Sequence, residues 1–460
     1  MIKQLILIFI LLTQCAFSQI ISKDNSFASN GKFTIPGNNN YWSRMIQNPD
    51  GSIYFTYNKN DSSGAEKFFL SKLTANGIVD TSFGTNGEME LPYFSTDSQL
   101  KKQSDGKLLA FGFYNGTAIT RILQNGQLDT TFGVNGTSLI PELSADQNDT
   151  SYGLIPQNGK LIVHGMEGTA GQIHHKIYRL DSNGIIDSTF GNNGSVLTQG
   201  TWSNGPHLLI DNQFNLVNLT NNGIMEKFDS NGQPLTNFGN NGVLQISYSF
   251  SNFGFGAAAF MDSNNNIIYS SADSEIIRIK PDGTVDSSFN FDPATLPPSV
   301  WKTNIIEKNG YYYISGMNED SAPTYFISRL TQNGSIDPVF NYFIETDSTL
   351  VRIEDLIVND NNIIANGGGY VVKYLLNSSL STAEIAKPDT NITFENPVKE
   401  SFIYISKNKI SNINIYSIDG KLLKTFKKSN TSASDLTNGI YIANIIFENG
   451  TSSTMKLIKN

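Results

Sequence analysis

Aspartates recur along this 460-residue chain as if to hold a metal: Asp24, Asp80, Asp129, Asp187, Asp286 and Asp337. The densest run, Asp181-Ser182-Asn183-Gly184-Ile185-Ile186-Asp187, invites a calcium reading. Calcium loops of the helix–loop–helix kind need more oxygen ligands and a bidentate Glu at the twelfth place, which is missing. Each Asp is therefore expected to cap backbone N–H groups in a turn. Histidine is the other ligand type, at His164, His174, His175 and His207. One hairpin around Thr169 should bring His164 opposite His174 or His175. Zinc needs three or four ligands in fixed geometry, and only Glu167, a loop candidate, lies near. No metal and no cofactor are expected. For nucleophilic catalysis there is no Gly-x-Ser-x-Gly elbow, and the only cysteine, Cys15, falls in a segment that export would remove. Carboxylate pairs of the glycosidase kind could meet on a folded surface, but spacing does not reveal them.

The aspartates belong to a longer phrase, and that phrase dictates the fold. Leu73 to Gly87 reads Leu-Thr-Ala-Asn-Gly-Ile-Val-Asp-Thr-Ser-Phe-Gly-Thr-Asn-Gly, and it returns around Asp129 and Phe132 and around Asp187 and Phe190. A fourth copy keeps Phe238 but has Leu235 in place of Asp; further copies carry Asp286 with Phe289 and Asp337 with Phe340. The tail of the phrase also opens the mature chain, as Asp24, Phe27 and Asn30-Gly31. About midway between phenylalanines comes a second turn signal, such as Asp50-Gly51, Asp105-Gly106 or Asn158-Gly159, followed by a short apolar run. Asn-Gly and Asp-Gly favour positive φ and tight hairpins. Unbroken apolar strands imply burial on both faces. Four strands fit each period: one after the Phe, two flanking the midway turn, and one ending in Arg-Leu or Arg-Ile.

The fold class is therefore all-β: a seven-bladed β-propeller over residues 19–376, followed by a small Ig-like β-sandwich. Each Phe is expected to pack between blades. Both terminal blades appear in the sequence with four strands of their own, so the ring is expected to close by simple contact, without a latch. Trp42 and Trp301 lie nine residues before Gly51 and Gly310, and Trp202 ten before Asn212. They start equivalent strands near the variable loops, where exposed Trp suits sugar or peptide contacts; as buried edge filler they would serve packing alone.

The phrase Asn-Gly-x-x-Asp-x-x-Phe-Gly-x-x-Gly resembles the delta-sixty-repeat β-propeller family, over about residues 20 to 376. The resemblance implies an architecture more than an activity. Residues 1–18 read as a signal peptide, with Lys3, an apolar Leu5–Leu12 and a cleavage site after Ser18; residues 377–391 read as a linker. Residues 392–460 carry Asn396-Pro397, then Asn412 through Asp419-Gly420-Lys421, then Leu436-Thr437-Asn438-Gly439-Ile440-Tyr441, and a terminal Lys456-Leu457-Ile458-Lys459. These motifs resemble the type A C-terminal sorting domain of the type IX secretion system of Bacteroidetes. That resemblance implies the secretion machinery as a partner and an end point that is either secreted or anchored on the outer cell surface.

A net charge of −9 argues against nucleic acid. No segment after the signal is apolar enough to cross a membrane. The chain is thus expected to be a binding module for a glycan or surface protein rather than an enzyme. The alternatives are a polymer-degrading hydrolase with carboxylates at the propeller centre, and a structural surface protein.

Overall fold

The computed structural model describes residues 21–36, 44–93, 98–376 and 392–459, apart from short stretches within them, chiefly 144–152, 202–206, 247–257, 271–274, 297–299, 319–323, 418–420 and 428–431. The expected signal peptide, the expected linker, Trp42, Trp202 and Gly420 lie outside the described residues. The chain divides into two compact units, Met1–Asn377 and Ser378–Asn460.

Among the described residues, seven antiparallel sheets follow one another in the first unit. Sheet 1 is typical: Met45–Gln47, Ile53–Asn60, Glu66–Leu73 and Glu88–Glu90 pair in chain order. Sheet 2 repeats it with Gln99–Lys102, Leu108–Phe113, Thr117–Ile122 and Thr137–Ile140. The first strand of each sheet lies against the first strand of the next, so these strands line the inside. Middle strands such as Thr117–Ile122 and Leu216–Leu219 are buried along their whole length, as unbroken apolar runs require. The core consequently sits between sheets. Leu109, Phe111 and Phe132 of sheet 2, for example, form one cluster with Leu161, Val163 and Leu180 of sheet 3.

The last sheet corrects the expectation of an unlatched ring. Its own strands are Asp355–Val358, Asn362–Gly367 and Tyr370–Leu376, and its outer edge comes from the other end of the unit. Ile21 pairs with Leu376 and Lys23 with Tyr374, while Lys32 pairs with Val372 and Thr34 with Tyr370. The sequence period and the sheet are out of phase by one strand. The strand that follows each Phe closes the sheet before it, so the first copy has only the last sheet to join. Phe27 and Ile35 then share a core with Phe55 and Leu73 of sheet 1 and Ile364 and Val371 of sheet 7. An edge that would otherwise offer open N–H and C=O groups is covered.

The second unit is a four-stranded sheet in the order Leu422–Lys427, Ile410–Tyr416, Gly439–Phe447, Ser452–Lys459, with a two-stranded ribbon of Ile392–Phe394 and Tyr404–Ser406. Alternation is visible in Gly439–Phe447, whose Tyr441, Ala443, Ile445 and Phe447 all turn into one core with Phe402, Phe426 and Leu457.

Candidate functional site

The repeated phrase builds a junction between sheets. Asp129 Oδ1 accepts from the Thr131 N–H at 3.2 Å and its hydroxyl at 2.6 Å, and Asp80, Asp187 and Asp286 repeat this with Ser82, Thr189 and Ser288. Asp337 Oδ1 accepts from the Val339 N–H at 3.0 Å. The second oxygen of Asp129 meets a partner eight residues upstream, Arg121 Nε at 2.8 Å. Arg179, Arg278 and Arg329 do the same for Asp187, Asp286 and Asp337. Each guanidinium lies 4.5–5.1 Å from the ring centroid of Phe132, Phe190, Phe289 or Phe340. Arg121 Nη1 then donates to Ser182 O in the turn of the next sheet, and Arg179 Nη1 to Ser230 O. The backbone adds a parallel link, Gly133 N to Asn183 O at 2.8 Å.

Sequence reasoning singled out the Asp and the Phe but not this arginine. Its signal was the fixed spacing of eight between the Arg-Leu strand end and the Asp. Where Leu235 replaces Asp, Lys227 turns to Asp211 at 3.2 Å. At the latch, Asp24 N donates to Lys373 O, Lys373 Nζ lies 3.3 Å from Asp24, and Ala28 N donates to Asn76 O. The first copy thus completes the junction of the last sheet.

Asp80, Asp129, Asp187 and Asp286 titrate low. Hydrogen bonds from Ser288, with the Arg278 charge behind them, bring Asp286 down to about 2. The Thr131 hydroxyl and then the Lys107 ammonium hold Asp129 well below the usual range. A depressed native pKa gives stability that is present above about pH 4, the unfolded carboxylate value, and is lost as pH falls towards the native one. Glu226 has the opposite sign. It is 3% exposed, and burial raises it despite hydrogen bonds from Gln199 N and Asn218 Nδ2. Its contribution is present below about pH 4 and is lost as pH rises through the native pKa. Glu226→Gln is therefore expected to raise stability by about 1 kcal/mol at pH 7 and by little at pH 4, because the desolvated charge disappears. The new amide also finds Asn218 Oδ1, which has no partner. Urea unfolding at the two pH values checks this; an equal gain at both would refute it.

A cleft of about 340 Å³ opens on the inner strands, lined by Arg44, Met45, Ile46, Gln99, Leu100, Lys101, Lys102 and Asp355. It draws on sheets 7, 1 and 2. Asp355 Oδ2 accepts from Met45 N at 2.8 Å, and Arg44 Nε donates to Ser98 O at 3.0 Å. Lys102 Nζ donates to Asn48 Oδ1. Lys101 is crowded by the surrounding strands yet keeps an exposed side chain. Crowding lowers its pKa, Asp355 opposes that, and Arg44 adds to it. The environment is confined rather than dry. None of these residues carried a sequence signal, because inner-strand positions differ from one repeat to the next.

Trp301 lies in the inner strand Val300–Lys308, its backbone paired with Met317. His164 and His175 are buried, with rings stacked 5.3 Å apart at 13°. Among the described residues no group of three or more His, Cys, Asp or Glu is placed to hold a metal ion. No helix among them is long and apolar enough to cross a membrane. In the second unit Asn396 Oδ1 accepts from Ile458 N at 2.8 Å and its Nδ2 donates to Lys456 O at 3.0 Å. Pro397 follows in the turn that leads Val398 onto the last strand. The Tyr441 hydroxyl donates to Thr437 O at 2.7 Å. Ser417 N donates to Lys421 O at 3.0 Å across the hairpin, and Gly439 begins the longest strand of the sheet.

Residues 103–132, 157–190 and 267–289 match the family described as a domain of unknown function (DUF5122) beta-propeller, and residues 393–460 match the secretion system C-terminal sorting domain. The chain is a β-propeller protein with a sorting tail. More particularly, its repeats are of the DUF5122 kind and its tail is that of type IX secretion, which directs export to the outer surface or beyond. No curated protein matches the chain. Among solved structures it is similar to PorZ, an essential bacterial surface component of the type-IX secretion system of Porphyromonas gingivalis, at 12% identity and a TM-score of 0.42. That match covers 93% of this chain and 60% of PorZ, so the chain spans three fifths of the PorZ length. Chaetomium thermophilum Raptor is similar at 9% identity and a TM-score of 0.49, over 75% of this chain and 29% of Raptor. The computationally designed Ika8 protein is similar at 8% identity and a TM-score of 0.41, over 74% of this chain and 98% of Ika8.

Proposed function

We propose that the chain is an exported binding module: a seven-bladed propeller carried through the outer membrane by an Ig-like sorting domain, acting by recognition rather than catalysis. The observation that carries this reading is the pairing of a sorting tail at 393–460 with a closed ring that holds a ligand-sized cleft. Rigid inner strands hold the cleft, and a glycan or a surface protein is the class of ligand it serves. Trp42, Trp202 and Trp301 are the residues whose aromatic rings suit contact with such a ligand.

Intact-mass measurement on culture medium and washed cells tests the reading. The expected species starts at Gln19 and ends between residues 377 and 391, leaving the propeller as the functional part. A mature exported protein that keeps its full tail would overturn the sorting role and move the search for adhesion to the second unit.

A further inference from the structure

The inner-strand cleft concentrates positive charge in a chain that is otherwise acidic. Arg44, Lys101 and Lys102 face one carboxylate, Asp355, within a lining whose remaining members are apolar apart from Gln99, while the whole chain carries −9. Asp355 is already engaged by Met45 N, and Arg44 and Lys102 are steered by Ser98 O and Asn48. Lys101 lines the opening and is exposed, and among the described residues it forms no ion pair and no side-chain hydrogen bond. Three cations gathered around one concave space, Arg44 from sheet 1 and Lys101 and Lys102 from one strand of sheet 2, repel one another unless an anion joins them.

We infer that this cleft is a binding site for an oxyanion, a carboxylate or sulfate carried on a unit about the size of one sugar residue. The inference rests on the binding-module reading and names its ligand class. The anion takes Lys101 as its principal partner, with Lys102 and the Arg44 guanidinium at the walls and Gln99 to meet neighbouring hydroxyls. A cleft of about 340 Å³ lies at the small end of the range for such ligands. The depressed basicity of Lys101 agrees: crowding by the surrounding strands first, and the Arg44 charge after it, disfavour its charged form against Asp355, and a bound anion would favour that form.

Calorimetric titration of the full chain with glucuronate, sulfate and glucose tests the site. Glucuronate and sulfate are expected to bind and glucose is not, with affinity falling as salt rises. Lys101→Gln removes a side chain with no structural partner and is expected to weaken glucuronate about tenfold. Asp355→Asn keeps an acceptor for Met45 N and is expected to tighten binding several-fold, an effect that a purely structural role would not produce. Glucose binding as tightly as glucuronate, with Lys101→Gln silent, overturns the anion but leaves a binding module standing. Absence of saturable binding by all three probes overturns the oxyanion site and leaves the exported-module reading to its own test by intact mass.

Discussion

Phe27→Ala is expected to cost about 3–5 kcal/mol, and deletion of residues 21–34 to abolish the single cooperative unfolding transition of the first unit. Phe27 is 1% exposed and packs with Ile35, Phe55, Leu73, Ile364 and Val371, so its loss leaves a cavity at the seam where the ring closes. The deletion removes more than a core residue. It strips the outer edge from Tyr370–Leu376 and takes away Asp24, the partner of Lys373. It also removes Lys23 and Lys32, which lie 3.6 and 3.0 Å from Asp347. Behind them the buried hydroxyls of Tyr325 and Tyr374 hydrogen-bond to each other, and Tyr374 donates to Glu345, whose outer partner is Lys23 at 3.5 Å. Without that lysine a buried carboxylate loses its counter-charge. Phe83→Ala is the control, since Phe83 occupies the same place between sheets 1 and 2 and should cost a similar cavity without opening the ring. Urea unfolding with scattering as a second probe separates the cases. A deletion variant that keeps the wild-type midpoint and radius would show that the latch is dispensable.

The sequence made the repeat legible because each copy spells its own turn. Asn-Gly or Asp-Gly sits where φ must be positive, and the Phe three residues after the Asp is buried in every copy. The sorting tail was legible in its motifs, Asn396-Pro397, Asn412 through Lys421 and Leu436 through Tyr441 among them, and the structure adds the alternating Tyr441, Ala443, Ile445 and Phe447 of one buried face. Phase was not legible. A phrase that ends one sheet and one that begins the next look identical in a linear string, and only pairing across the ring, Ile21 with Leu376, decides between them. The cleft was illegible for a different reason: Arg44, Lys101 and Asp355 come from three repeats and break the pattern rather than follow it. Function in a repeat scaffold sits where the repeat varies. The arginine of the junction lies between these extremes, being periodic but hidden at a strand end where a charged residue reads as solvated surface.

Gly133→Ala is expected to destabilise by about 3 kcal/mol or more, because two separate penalties fall on one methyl group. Its φ is +56°, where an L side chain is strained, and an added Cβ would lie 2.1 Å from Thr137 O. Relief would require shifting the hairpin that pairs Thr137 with Thr120, while the Gly133 N–H holds Asn183 O of the neighbouring sheet. Gly159→Ala separates the two costs: its φ is +76°, yet nothing lies within 4 Å of the added carbon, so about 1 kcal/mol from backbone strain alone is expected. The first copy offers the reciprocal test, since Ala28 holds the equivalent place with φ of +46°. Ala28→Gly should recover about 1 kcal/mol at the latch itself, net of the added freedom of the unfolded chain. Equal losses at Gly133 and Gly159 in urea unfolding would mean that the contact with Thr137 yields easily. The close approach between sheets would then be a consequence of the phrase rather than its reason.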